Sequence, residues 1–133
     1  MSNVNYVEKL WMDKKNNIPN PKAFSEEAEK LARQVSTNSK GRGVNKSSQL
    51  RKFYDELFRL NQIAKPENWD VVLPQVHMVI AKAAYARGRG LITDDFLNPL
   101  RELIKAVEKP EHLNTVVSFF EAFTAFYRQY RRD

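Results

Sequence analysis

PEHLNTVVSFFEAFTAFYRQYR, residues 110–131, is the stretch that decides the fold. Pro110 suits the first position of a helix, where the N–H group that proline lacks is not needed. Large apolar side chains then recur three and four residues apart and cover an arc of about 180 degrees. The arc consists of Leu113, Val116, Val117, Phe119, Phe120, Phe123, Phe126, Tyr127 and Tyr130. Such a wide, continuous arc is typical of a helix in a hydrophobic core rather than of a surface that stacks nucleotide bases.

Upstream of this helix, caps, prolines and apolar spacing predict four more helices. We expect them at Pro21 to about Thr37, at about Lys46 to Ala64, from a first turn containing Pro74 to about Arg87, and at Pro99 to about Lys109. Trp69–Val72 is interpreted as a connector, and residues 94–98 as a short turn. No sustained period-two alternation indicates a strand. The prediction is an all-α, compact bundle of about five helices in a single domain, residues 1–133, with residues 1–19 either part of it or a loosely attached segment.

The third of these helices is apolar on almost every side. Lys82 is the only charged residue between Asp70 and Arg87, and Met78 and Tyr85 lie on the face opposite the valines. A helix of this kind is either central in its domain or shared with a partner chain.

The length and composition of the chain limit the class of protein to which it can belong. A length of 133 residues with 42% hydrophobic and 29% charged residues fits one globular domain. The chain has no cysteine, which excludes disulfides, thiolate metal sites and cysteine nucleophiles. Its first residues do not resemble a signal peptide, and its longest uncharged run is too short to cross a bilayer. We expect a cytoplasmic protein that does not contact a membrane.

The net charge of +6 is concentrated in one segment. No acidic residue occurs between Glu29 and Asp55, and that segment has seven basic residues, which leaves 15 basic and 16 acidic residues elsewhere. A local positive potential beside a glycine-containing loop suits a polyanion, with nucleic acid as the first candidate.

The basic residues of this segment fall into two groups. Lys40, Arg42 and Lys46 have no carboxylate within four residues and lie at a helix N-terminus, where free N–H groups and the helix dipole favour a phosphate. Arg51 and Lys52 have possible ion-pair partners four residues further along. We predict phosphate contact for the first group and leave both interpretations open for the second.

Arg87 and Arg89 alternate with glycines after Tyr85. They fit a helix C-terminus with Gly88 as the left-handed cap, and they equally fit a surface that follows a nucleic-acid backbone and stacks its bases. Lys82 belongs to that surface or extends into solvent past its apolar neighbours.

The usual constellations of catalytic residues are missing from the sequence. His77 and His112 lie in separate helices without carboxylates at metal-ligand spacing, so neither a metal site nor a cofactor is predicted. Two histidines brought together by folding could cleave RNA by acid–base chemistry, but ordinary core or surface histidines are the favoured interpretation. The chain is not expected to be an enzyme.

Three stretches in order resemble a known family: Ser47-Ser-Gln-Leu-Arg-Lys-Phe-Tyr54, Tyr85-Ala-Arg-Gly-Arg89 and Phe119-Phe-Glu-Ala-Phe-Thr-Ala-Phe-Tyr127. They are similar to the small helical subunit of type III-A CRISPR effector complexes, the Csm small subunit. The resemblance covers about residues 35 to 130.

The resemblance implies a non-catalytic subunit, present in several self-associating copies, that holds CRISPR RNA and target RNA through the sugar–phosphate backbone and without sequence specificity. The sequence leaves open whether single-stranded DNA is also a partner. Other subunits of the effector complex would be its partners. The first motif nominates Ser48, Gln49 and Arg51, with Lys52 beside it. The second nominates Arg89, and Arg87 less directly, because the family usually has an acidic or small residue where Arg87 stands. The alternative is a helical homodimeric adaptor whose partner is protein and whose basic surface is incidental.

Overall fold

The structure is a computed structural model that describes residues 5–39 and 43–133. Its α-helices are α1 (Tyr6–Leu10), α2 (Ala28–Thr37), α3 (Ser47–Ile63), α4 (Trp69–Gly88), α5 (Asp94–Lys105) and α6 (Pro110–Tyr130). A π-helical stretch, Ala23–Glu27, leads into α2, and a 3-10 turn, Pro66–Asn68, precedes α4. Two short antiparallel strands, β1 (Trp11–Asp13) and β2 (Ile18–Pro19), complete the described part of the chain. The predicted all-α bundle is confirmed.

α6 is the helix around which the others assemble. It packs against α2, α3, α5 and the π-helical stretch, while α4 lies against α3 and α5. Seven of the nine residues in its predicted apolar arc are buried, and the other two, Phe126 and Tyr130, are half-buried. The interpretation of residues 110–131 as core is therefore correct.

Aromatic rings connect three helices in the middle of the core. Phe96 of α5 lies with its ring centroid 6.1 Å from Phe53 of α3, and 6.1 and 5.5 Å from Phe120 and Phe123 of α6. Such edge and tilted contacts are favourable beyond the area that they bury. They fix the first turn of α5 onto α3 and α6.

Two helix starts were predicted too late because a proline was treated as the start. α4 begins at Trp69, so the predicted connector is helical and Pro74 lies inside the helix. α5 begins at Asp94, with Pro99 inside it, and ends at Lys105 rather than at about Lys109. A proline at the sixth position of a helix removes one hydrogen bond, to the carbonyl four residues before it, and its ring crowds that carbonyl. In both helices apolar residues of the first turns, Val72 and Phe96 among them, are buried and hold those turns in place.

The N-terminal part of the described chain also differs from the predicted pattern. β1 and β2 were not predicted, because strands of three and two residues are too short to show alternation. Leu10 and Trp11 are buried against the bundle, and Trp11 Nε1 donates to Asn17 Oδ1 at 2.9 Å. The helix predicted from Pro21 is interrupted by the π-helical stretch, although Asn20 Oδ1 accepts from the N–H group of Lys22 as expected for a cap.

Candidate nucleic-acid interface

Asn45 joins the two glycine-containing basic segments. It is completely buried and has a left-handed φ of 54°, a conformation that asparagine tolerates better than most residues. Its N–H group donates to Leu91 O at 2.9 Å, and Thr93 N donates to its Oδ1 at 3.0 Å. On its other side, its carbonyl oxygen accepts from Tyr127 Oη at 2.7 Å. The start of α3 and the turn that follows α4 therefore lie at the same end of the bundle.

Lys40 and Arg42 lie outside the described residues, so the predicted loop site is described only from Gly43 onward. Lys46 is exposed and stands at the N-cap position of α3, with ψ at 142°. It makes no ion pair within residues 5–39 and 43–133. Its charge is thus available to a ligand at this end of the bundle.

The N-terminus of α3 is already in contact with an anionic group. Asp133 Oδ1 accepts from Ser47 Oγ at 2.6 Å, and Asp133 Oδ2 accepts from Ser47 N at 3.1 Å. Burial acts to raise the pKa of Asp133, but the hydrogen bonds from Ser47 and the charge of Arg131 outweigh it and hold the pKa below its usual value. The site where a phosphate was predicted therefore holds a carboxylate of the same chain.

Lys52 is exposed and does not form the ion pair with Glu56 that its spacing allowed. Glu56 instead accepts from Arg59 Nη2 at 2.9 Å and lies 3.9 Å from Lys82 Nζ. The hydrogen bond from Arg59, followed by the charges of Arg59 and Lys82, lowers the pKa of this carboxyl despite its partial burial. Within the described chain Lys52 has no carboxylate partner, whereas Lys82 shares one.

Ser48 and Arg51 line a groove of about 780 Å³ between α3 and the second half of α6. Arg51 Nε lies 3.7 Å from Asp55 Oδ1, with both side chains exposed, so this pair is weak. Among the described residues, the charged lining of the groove consists of Arg51, Arg128, Glu121 and Asp133. Two positive and two negative groups do not make a site for a polyanion. Gln49, in the first turn of α3, is half-buried.

The C-terminus of α4 is capped by a different glycine from the one predicted. Gly88 is helical, and Gly90 is the left-handed residue, with φ at 75°. Leu91 N donates to Ala86 O and Gly90 N donates to Arg87 O, both at 3.0 Å, which is the Schellman pattern of hydrogen bonds. This cap directs the chain back toward Asn45.

The two arginines at this cap differ in their partners. Arg87 Nε donates to Asp94 Oδ1 at 2.8 Å, so it connects the end of α4 to the start of α5. Arg89 is exposed, and its guanidinium lies 5.8 Å from the ring centroid of Tyr85. Within the described residues Arg89 has no carboxylate partner, and with Tyr85 it presents a cation next to an exposed aromatic ring.

The structure does not bring the two histidines together as an acid–base pair. His112 is buried; its Nδ1 accepts from Glu108 N at 3.1 Å, so its Nε2 donates to Lys14 O at 2.9 Å. His77 is exposed on α4. In the described ranges no group of three or more histidine, aspartate or glutamate residues could hold a metal ion, and no helix there has the length and apolar character to span a membrane.

Reasoning from the sequence did not identify two residues that matter for this end of the bundle. The role of Asn45 could have been suspected from the sequence, because an asparagine between a glycine and a helix start is a candidate for the left-handed conformation. The role of Asp133 could not have been predicted from the sequence, because its contact with Ser47 spans 86 residues. The fold and the basic end together define a small all-α protein whose exposed cations Lys46, Lys52 and Arg89 are not neutralised by described carboxylates.

The model of the family described as Csm2 Type III-A matches residues 19–133, and the chain belongs to that family. It is therefore a small subunit of the type III-A Csm complex, a CRISPR effector, and works together with other subunits. Neither the curated proteins nor the solved structures gave a match.

Proposed function

We propose that this chain is a non-catalytic, RNA-binding subunit of a cytoplasmic type III-A interference complex. It holds guide or target RNA through sugar–phosphate contacts, and it binds single-stranded DNA through the same contacts. Base pairing between the two nucleic acids supplies sequence specificity, because contacts to phosphate position a ligand without reading its bases.

One observation carries this proposal: the hydrogen bonds between Asn45 and residues 91–93 place the Lys46 end of α3 beside the Arg89 end of α4. Two basic segments that are far apart in the sequence thus contribute to one surface. Arg89 adds the ring of Tyr85, and aromatic rings next to cations are typical of surfaces that bind single strands.

The candidate residues are not equivalent in this proposal. Lys46, Lys52 and Arg89 lack a described carboxylate partner and are expected to contribute most. The other described candidates are Arg51, Lys82 and Arg87. Each of them has a carboxylate partner in the chain and must give up that ion pair in order to bind a phosphate. Ser48 and Gln49 offer neutral hydrogen bonds at the start of α3. Lys40 and Arg42, which lie outside the described residues, are candidates on the basis of the sequence alone.

A triple variant tests the assignment. Lys46→Ala, Lys52→Ala and Arg89→Ala should together weaken binding of a single-stranded RNA, measured by fluorescence anisotropy over a series of salt concentrations. Each lost phosphate contact lowers the slope of log affinity against log salt by about 0.7, so the slope should fall by about 2.

The matched control removes three exposed lysines elsewhere, by Lys9→Ala, Lys22→Ala and Lys105→Ala. It lowers the net charge by the same amount, so any general electrostatic effect appears in both variants. Circular dichroism should show that both variants remain helical. Equal RNA affinities of the two triple variants would show that the site is misassigned.

A second candidate function, a homodimeric adaptor that binds protein, is favoured by the exposed apolar side chains of α4, among them Met78 and Tyr85. The adaptor function predicts no measurable RNA affinity at low salt.

The non-catalytic assignment has its own test. Intact labelled RNA after prolonged incubation, with and without a divalent metal, would support this assignment, and cleavage that depends on His112 would contradict it.

A further inference from the structure

The three residues after α6 fold back onto the chain that leads into α3. Arg131 begins this contact, because its Nη1 donates to the carbonyl oxygen of Val44 and, at 3.1 Å, to that of Asn45. The Arg131 side chain is only 13% exposed. Tyr127 Oη donates to the same Asn45 carbonyl at 2.7 Å, so Arg131 is anchored at a buried point of the bundle. We call these three residues the 131–133 segment.

Asp133 fastens the other end of the 131–133 segment. Its carboxylate accepts from Ser47 Oγ at 2.6 Å and from Ser47 N at 3.1 Å, and its Oδ2 lies 3.2 Å from Arg131 Nε. The Asp133 side chain is 26% exposed, so both water and a ligand can reach this carboxylate. The segment is therefore anchored more firmly at Arg131 than at Asp133, and its looser end covers the first turn of α3.

The contact of Asp133 lies beside the surface proposed to bind RNA. Lys46, one of the exposed cations of that surface, directly precedes Ser47 in the chain. The Asp133 carboxylate brings a negative charge to this place and accepts from an N–H group that could otherwise donate to a phosphate. An RNA phosphate that reaches the start of α3 must therefore replace Asp133.

We propose that the 131–133 segment is autoinhibitory: Asp133 occupies the start of α3 in the free chain, and the phosphate backbone of a nucleic acid displaces it. Arg131 keeps its bonds to the two carbonyls, so the segment opens from Asp133 and not from its root. A small anion gains little by replacing one carboxylate, whereas a chain of phosphates binds Lys52 and Arg89 at the same time. The segment thus selects a polyanion over single anions.

This inference rests on the proposed function, because the ligand that opens the segment is the nucleic acid. A ligand that binds only the open state has an apparent affinity lowered in proportion to the fraction of open chains. Any change that weakens the contact of Asp133 with Ser47 should therefore raise RNA affinity, until the segment is open in every chain.

A spin label on the 131–133 segment tests its opening. The native chain contains no cysteine, so Arg132→Cys, at an exposed position between the two anchors, takes a single nitroxide label. Its electron paramagnetic resonance spectrum should show mainly an immobile label in the free chain. Addition of single-stranded RNA should convert most of it to a mobile label, at the concentrations at which anisotropy shows binding.

Two controls make this result specific. Arg128→Cys has the same change at an exposed position of α6, and its label should not gain mobility. Contact with RNA slows a label, so a gain at position 132 reports the opening of the segment. Inorganic phosphate at the same phosphate concentration, and sodium chloride at the same ionic strength, should leave most of the label immobile. Equal mobilisation by sodium chloride would overturn the proposal, because the contact would then respond only to screening.

Two further substitutions test the closed contact without RNA. Asp133→Ala removes the carboxylate, and Ser47→Ala removes the hydroxyl donor while it keeps the charge of the segment. Each change, combined with the labelled Arg132→Cys, should raise the mobile fraction of the label in the free chain. A label that remains equally immobile in both combinations would overturn the proposal.

The outcomes separate this inference from the proposed function. If RNA binds at full occupancy and the label at position 132 stays immobile, the autoinhibitory role fails and the proposed function stands. If Asp133→Ala mobilises the label but neither this variant nor the native chain binds RNA, the proposed function fails and the closed contact of Asp133 stands without its ligand.

Discussion

Asn45 and Thr93 form a reciprocal pair of hydrogen bonds. Thr93 N donates to Asn45 Oδ1 at 3.0 Å, and Asn45 Nδ2 donates to Thr93 Oγ1 at 2.8 Å. Nδ2 also donates to Ser39 Oγ at 3.1 Å, so one buried side chain joins the end of α2 to the start of α5. Since only the N-cap residue Lys46 separates Asn45 from α3, and since the Asn45 carbonyl accepts from Tyr127 of α6, Asn45 connects four helices.

We predict that Asn45→Ala destabilises the fold by about 2–4 kcal/mol, because it leaves buried polar groups without partners and puts alanine at a left-handed φ. Urea denaturation followed by circular dichroism measures the loss. Ser39→Ala is the control, since it removes one acceptor and keeps the pair with Thr93; it should lower the free energy of unfolding by about 1 kcal/mol. Equal losses in the two variants would contradict the central role of Asn45.

The fold was predictable where apolar spacing is long and regular. α6 needed only its own sequence, because an arc of nine large side chains has no other stable environment than a core. Pro74 and Pro99 led to helix starts that were predicted too late. Whether a helix tolerates a proline depends on whether the carbonyl four residues before it can be satisfied elsewhere, and the local sequence does not determine this. β1 and β2 exist because Trp11 is buried on the bundle, a contact that their five residues do not encode.

The candidate site was predictable in its residue types and less so in its pairing. Rules for helix neighbours at three and four residues anticipated the contact of Arg51 with Asp55. They did not anticipate the contact of Arg87 with Asp94, which crosses a turn. They also did not decide between Arg59 and Lys52 as the partner of Glu56, because one lies three and the other four residues away. Which cation remains available to a ligand is therefore a property of the folded chain.

Substitutions of Arg87 and Arg89 should differ in their effects on RNA binding and on stability. Arg89→Ala is expected to weaken RNA binding severalfold and lower its salt slope by about 0.7, because Arg89 has no described carboxylate partner. Arg87→Ala should leave the salt slope nearly unchanged and lower the free energy of unfolding by at most about 1 kcal/mol, the range of exposed ion pairs. Anisotropy titrations and urea denaturation of both variants measure this. The reverse assignment of effects would show that Arg87 is the contact residue.

Asp133 is expected to compete with a phosphate for the start of α3. Replacing it in Asp133→Asn removes a negative charge next to Ser47, so RNA affinity should rise severalfold. Glu121→Gln is the matched control, because it removes a carboxylate from the same groove that does not bond to Ser47. Anisotropy at one low salt concentration compares the two. An equal rise in both variants would mean that only the overall charge of the groove matters.

His112 makes two hydrogen bonds that require it to be neutral. Nδ1 can accept from Glu108 N only while it has no proton, and Nε2 then donates to Lys14 O. Burial lowers the pKa of His112 most, and the charges of Lys14 and Lys109 lower it further, although the bond to the Lys14 carbonyl acts in the opposite direction. Its ring also makes a T-shaped contact with Trp11, with ring centroids 5.4 Å apart.

This lowered pKa makes stability depend on pH. Below the unfolded value of about 6.5 the unfolded chain takes up a proton at His112 that the folded chain does not, so the free energy of unfolding should fall as the pH falls from that value toward the folded pKa. Urea denaturation at a series of pH values above about 5, where most carboxylates remain charged, measures the slope. His112→Gln should be less stable at neutral pH and should lose this part of the slope. His77→Gln, which removes the exposed histidine, should retain it, and loss of the slope in that variant instead would assign the titration to His77.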